Sequence, residues 1–214
     1  MPAEAAGLDD FGTFSDVQRG EVPLAELRPQ RVEMFDRAGE ELSEAEQAAM
    51  RRAYENINRL LREAGGDPLS RYDLRLAIKN VNATVGANPA DSMRSMRNCP
   101  EAALAVDDIL RGKPAVAGPL PGAPTSLARG IYRIRAIDHP LRQDRLDDAE
   151  NAIRDNPGSR GIVIAHGGAG KDHIFNIADV NGRVTYIDGV FGTTLETRPR
   201  YTRWFPEFDF YRTA

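Results

Sequence analysis

The chain has 214 residues and a net charge of −4, room for one large domain or for a domain of about 100–150 residues with an extension. A single cysteine, Cys99, cannot close an internal disulfide, so folding needs no oxidising compartment. No basic stretch followed by a short apolar segment appears, and no apolar run is long enough to span a bilayer. The expectation is a soluble protein of a reducing compartment, with no membrane partner.

Charge is uneven. Residues 1–50 hold twelve acidic residues against four arginines, so the remainder is net +4. Lysine and arginine are not interleaved with aromatics on any one stretch, which argues against nucleic acid as a partner. Residues 1–40, acidic and without a sustained period, read as a linker or arm; residues 41–84 read as a helical segment and residues 85–214 as the main domain.

Ser43 and Glu46 form a capping-box signature, and Met50, Ala53, Tyr54, Ile57, Leu60 and Leu61 follow at three- and four-residue steps. Gly65-Gly66 ends that helix. A second helix is predicted from Tyr72 to about Val81, and Asn88-Pro89 breaks the chain after it. A third starts near Cys99, with Pro100 in its first turn and Gly112 past its end. Four prolines make residues 113–128 a loop.

From residue 131 the pattern changes. Ile131 to Ile137 reads as a half-buried strand, Asp144 to Arg154 as a short helix, and Ile162-Val163-Ile164 as a buried strand. His173–Val180 and Arg183–Ile187 read as two strands joined by Asn181-Gly182, a dipeptide suited to a two-residue hairpin turn with positive φ at both positions. Phe208 to Tyr211 reads as a last strand. Helices first and strands later give an α+β class with a mostly antiparallel sheet.

The hairpin is also where chemistry gathers. Pairing across Asn181-Gly182 sets Phe175 opposite Asp188 and His173 opposite Val190, with His173, Phe175 and Asp188 on one face. The diagonal from His173 to Asp188 is then about 7–8 Å between backbones, within reach of both side chains. A carboxylate that fixes an imidazole beside a nucleophile is the logic of thiol and hydroxyl catalysis. Cys99 at a helix start fits the nucleophile: the helix dipole favours thiolate, and first-turn amides can hold an oxyanion. Each feature also has a plain reading, Cys99 as a small buried hydrophobe and His173–Asp188 as a surface pair.

Asn98-Cys99 opening a helix with Ala103, the Pro-rich segment after it, Gly161-Ile162-Val163-Ile164, Asp172-His173-Ile174-Phe175-Asn176 and Tyr186-Ile187-Asp188-Gly189 together resemble the papain-fold toxin domains. These are glutamine-deamidase-type C-terminal modules of bacterial polymorphic toxins. The resemblance spans about residues 85–214. It implies a papain-like fold, a catalytic triad of Cys99, His173 and Asp188, no cofactor and no metal. It further implies a secreted effector acting in the target-cell cytoplasm, with a target-cell protein as substrate and a cognate immunity protein as partner. Asn98 occupies a motif position with no assigned role. Ala102 stands where the family often has a second cysteine, and Val190 where it often has glutamine. The same triad serves a cysteine protease or a transglutaminase, and a non-catalytic protein-binding module with Cys99 in the core is the reading from another class.

Other signals are set aside. Gly167 to Lys171 lacks the glycine and the hydroxyl residue of a phosphate loop, since Ala165 and Asp172 stand there. His166 reads as a loop residue without metal-ligand spacing, His139-Pro140 as a turn, and Asn82-Ala83-Thr84 as a chance acceptor motif. Tyr201, Trp204, Phe205, Phe208, Phe210 and Tyr211 read as core, with any exposed subset a candidate partner surface. Deleting residues 1–40 is expected to leave a folded domain. A large drop in its melting temperature, or insolubility, would show that the arm belongs to the core.

Overall fold

The computed structural model describes residues 43–83, 98–118, 134, 141–143, 146–167 and 172–214, all within one compact unit, Leu42–Ala214. Helix α1 (Glu44–Glu63) starts with the expected capping box: the Ser43 hydroxyl accepts the Glu46 amide at 3.3 Å, and the Glu46 carboxylate accepts the Ser43 amide at 2.8 Å. Met50, Ala53, Ile57 and Leu60 form its buried stripe against helix α2 (Arg71–Val81), which buries Leu74, Ala77, Ile78 and Val81. Ser70 caps α2 by accepting the Asp73 amide at 3.2 Å.

Helix α3 (Cys99–Leu110) differs in kind, because every residue except Glu101 and Leu110 is buried. An all-round apolar helix must be enclosed. Its buried Asp107 needs partners, and it has three: Arg160 at 3.2 Å, the Thr213 hydroxyl at 2.5 Å and Arg111 at 2.7 Å. These bonds tie α3 to the sheet and to the C-terminus.

The sheet comprises β1 (Leu141–Gln143), β2 (Arg160–His166), β3 (His173–Asp179), β4 (Val184–Asp188), β5 (Thr193–Leu195) and β6 (Glu207–Arg212). Its order is β1-β6-β2-β3-β4-β5, and every pairing is antiparallel. Helix α4 (Leu146–Arg154) covers one face, where Leu146, Ala149 and Ile153 meet Val163, Ala165, Phe175, Ile177, Phe208 and Phe210. On the opposite face the Asn176 side chain donates to the Ala103 carbonyl of α3 at 3.1 Å. The sheet therefore lies between α3 and α4, the expected α+β arrangement of helices followed by an antiparallel sheet.

Several expectations fall outside the described residues: the break at Asn88-Pro89, the His139-Pro140 turn, the glycine run from Gly168 to Lys171, and the loop beyond Gly118. Of the strand expected over 131–137, only Ile134 is described, and it is buried and helical. Strands β1 and β5 went unread because three residues carry no period; both are sheet edges, where short strands are usual. The C-terminal aromatics divide. Phe208, Phe210 and Tyr211 are core, whereas Trp204 is 74% exposed, at the end of a 3-10 turn, Arg200–Trp204.

Gly189, just after β4, seats α3 on the sheet. A Cβ there would stand 2.9 Å from the Ala102 carbonyl oxygen and 2.9 Å from a Val106 methyl carbon. The contact includes helix backbone, so it cannot be relieved by a rotamer change. Gly189→Ala is expected to destabilise the fold by about 1–3 kcal/mol as the first half of α3 is pushed outward. An unchanged melting temperature would show that α3 is not seated by this contact.

Candidate active site

The site grows from the β3–β4 hairpin. Asn181 and Gly182 have φ of 56° and 78°, and Val180 and Arg183 exchange backbone hydrogen bonds at 2.9 and 3.3 Å. The resulting register pairs Asp179 with Val184, Ala178 with Thr185, Ile177 with Tyr186 and Asn176 with Ile187. This is the register expected from the turn, and one further step sets Asp188 opposite Phe175.

His173 Nε2 lies 2.7 Å from Asp188 Oδ2. A carboxylate can only accept, so Nε2 carries the proton and Nδ1 is the basic nitrogen. Asp188 is nearly fully buried, and its other oxygen accepts the amides of Val190 at 3.0 Å and Phe191 at 3.2 Å. A fourth donor was not foreseen: the Tyr201 hydroxyl reaches Asp188 Oδ2 at 2.8 Å. Burial, then the Asp188 charge and hydrogen bond, push the Tyr201 phenol far above its ordinary value, so it stays a donor. Rings enclose the imidazole: Phe175 stacks at 6.2 Å, Tyr201 stands edge-on at 5.0 Å, and Phe191 is tilted at 5.7 Å.

Cys99 is the first residue of α3 and is 5% exposed. It opens the helix that packs on β3, and the charge of Asp188 reaches its thiol. The expected lowering of its pKa is not what the surroundings give. Burial pushes the thiol up to about 12, with Asp188 and Asp172 adding to the rise, against the smaller pull of the Ile174 and Cys99 amides. A helix terminus contributes about 0.3–1 kcal/mol at an exposed site, whereas burial alone moves a group by up to about 3–5 pKa units. Burial wins.

Asn98, without a role at first reading, is fully buried and does not cap α3. Its side-chain amide donates to Asn82 Oδ1 at 2.9 Å and to the Gly118 carbonyl at 2.7 Å. Asn82 in turn donates to the Val190 carbonyl at 3.4 Å, so Asn98 and the turn after Asp188 share one relay. The apparent acceptor motif at Asn82 thus begins with a buried structural amide. His166 ends β2 rather than lying in a loop, and it sits between two carboxylates, Asp209 at 2.9 Å and Asp172 at 3.5 Å. Tyr201 and Asn82 are the residues missed from sequence. Only a spatial register could have found them, because neither shares a local pattern with Cys99, His173 or Asp188.

Residues 97–193 match the model of the family described as papain fold toxin 1, glutamine deamidase. That span holds Cys99, His173 and Asp188 and is shorter at both ends than the 85–214 of the sequence resemblance. No curated protein and no solved structure matches the chain. The antiparallel sheet, with a buried helix opening on a cysteine against the strand that begins at His173, agrees with the match: over residues 97–193 the chain is similar to the papain-fold toxin family of glutamine deamidases.

Proposed function

We propose that this chain is a toxin effector that deamidates a glutamine side chain in a protein of the cell it enters, with Cys99 as nucleophile, His173 as base and Asp188 as the residue that orients the base. The observation that supports this most is the 2.7 Å His173–Asp188 bond, which leaves Nδ1 as the basic nitrogen of an imidazole held by a buried carboxylate. His173 takes the thiol proton, and the sulfur adds to the carboxamide carbon. The oxyanion lies toward the Cys99 amide. The imidazolium then protonates the departing ammonia, leaving a thioester. Water, deprotonated by His173, adds to the thioester; the product is glutamate, and the thiol regains its proton. The inferred partners are the target protein and a cognate immunity protein. Among the described residues no helix is long and apolar enough to cross a membrane.

The raised thiol pKa shapes this mechanism. At about 12 an isolated Cys99 would be ionised to roughly one part in 10⁵ at neutral pH. A thiol so weak as an acid gives up its proton only as His173 takes it. Burial of Cys99 also favours a second reading, a non-catalytic binding module with the thiol as core.

Incubating target-cell extract with the wild type and with Cys99→Ala, followed by peptide mapping, tests the proposal. Glutamate at an encoded glutamine with the wild type only is the expected result. New internal termini would mean a protease, isopeptide cross-links a transglutaminase, and identical maps the binding module. His173→Ala is expected to lose as much turnover as Cys99→Ala, and Asp188→Asn less, because the carboxylate orients the base without accepting its proton.

A further inference from the structure

We propose that Tyr201 is a positioning residue of this reaction, so that the active site is completed by the turn Arg200–Trp204, outside residues 97–193. The inference rests on the thiol mechanism above. Asp188 has four hydrogen-bond donors: Val190 and Phe191 amides on one oxygen, His173 and the Tyr201 hydroxyl on the other. Four donors fill the acceptor sites of a carboxylate and stop its rotation. The Tyr201 ring, at 88° to the imidazole and 5.0 Å from it, closes a side of His173 that Phe175 and Phe191 leave open. One side chain thus restrains both members of the His–Asp pair, the carboxylate through its hydroxyl and the imidazole through its ring.

The turn that carries Tyr201 is itself held by side-chain bonds. Arg198 bonds Glu150 and Asp147 of α4, and Glu150 also accepts the Tyr186 hydroxyl from β4, the strand that ends in Asp188. The Thr202 hydroxyl, in a buried residue, donates to the Pro199 carbonyl at 2.8 Å and fixes the turn itself. The turn and the carboxylate are therefore fastened to a common support.

Among the described residues the charged and titratable groups around His173 are few, which makes the effect of the hydroxyl readable. Asp188 faces it from β4, Tyr201 from the turn, and Cys99 lies at the start of α3. Asp172, its neighbour in sequence, turns instead to His166 and the Gly167 amide. In Tyr201→Phe the ring stays, but Asp188 loses one donor and keeps more of its charge for the imidazolium. The imidazolium is then harder to deprotonate, so the basic limb of reactivity moves up in pH. The looser carboxylate lowers the plateau.

Because Cys99 is the only cysteine, its alkylation by iodoacetamide reports the pair without any target protein. The rate is measured against pH for the wild type, His173→Ala and Tyr201→Phe, with circular dichroism to confirm folding. The expected result is a plateau roughly tenfold lower in Tyr201→Phe, with a basic limb displaced upward. Loss of packing alone would lower the melting temperature without moving the limb. Proton NMR of the three histidines, with His173 assigned by its loss in His173→Ala, gives a second readout: its titration should move up in Tyr201→Phe. If the wild type alkylates in a His173-dependent way and Tyr201→Phe matches it in plateau, limb and titration, the role of Tyr201 is overturned alone. If wild type and His173→Ala alkylate equally, the thiol mechanism falls and the proposal with it.

Discussion

The register of one hairpin is the constraint on which the site depends. Asn181 and Gly182 both take positive φ, which admits the tight turn that matches strand twist and fixes which residues of β3 and β4 face each other. A slip of one residue would send His173 and Phe175 to the α3 face and Ile174 and Asn176 to the α4 face. That slip would expose Ile174 and Ile177 to the wrong cores and strand the Asn176 amide away from the Ala103 carbonyl. Burial on both faces thus enforces the register from below, and the turn enforces it from the end. The same register places Gly189 under α3, and so it also decides where Cys99 comes to rest.

That resting place sets the electrostatic problem of the site. A cysteine buried this deeply is a poor acid, and the amides of its own helix start do not offset the desolvation. The same enclosure raises the worth of any charge partner, since opposite charges attract more strongly where water is excluded. His173 is bonded to a buried carboxylate and surrounded by three aromatic rings. On the proposed mechanism, the weakness of Cys99 as an acid makes its reactivity depend on His173.

What was legible in the sequence follows from which interactions are local. The capping box at Ser43, the helix opening at Cys99 with Pro100, and the Asn181-Gly182 turn are short-range chemistry, and each appears where its residues stand. The approach of His173 to Asp188 was legible for the same reason, because a two-residue turn converts sequence distance into spatial distance by counting. Burial is not local. Asn98-Cys99-Pro100 announces a helix start, where the dipole favours thiolate, but it does not decide between that effect and the burial of the thiol that α3 imposes. The short edge strands failed for want of length, since three residues cannot express a period.

Tyr201 and Asn82 show the same limit at the scale of the domain. Asn82 ends α2 and reaches the Val190 carbonyl, while Tyr201 lies beyond β5 and reaches Asp188 itself. The turn from Asp188 to Phe191 is thereby suspended between an element that precedes residues 97–193 and one that follows them. Similarity in sequence bounds the segment that carries Cys99, His173 and Asp188. Hydrogen bonding bounds a larger unit, because the geometry of a carboxylate is set by all its donors and not only by the one that is catalytically interesting. The compact unit Leu42–Ala214 contains every one of these partners, so the site and the fold share their boundaries even though the recognisable motif does not.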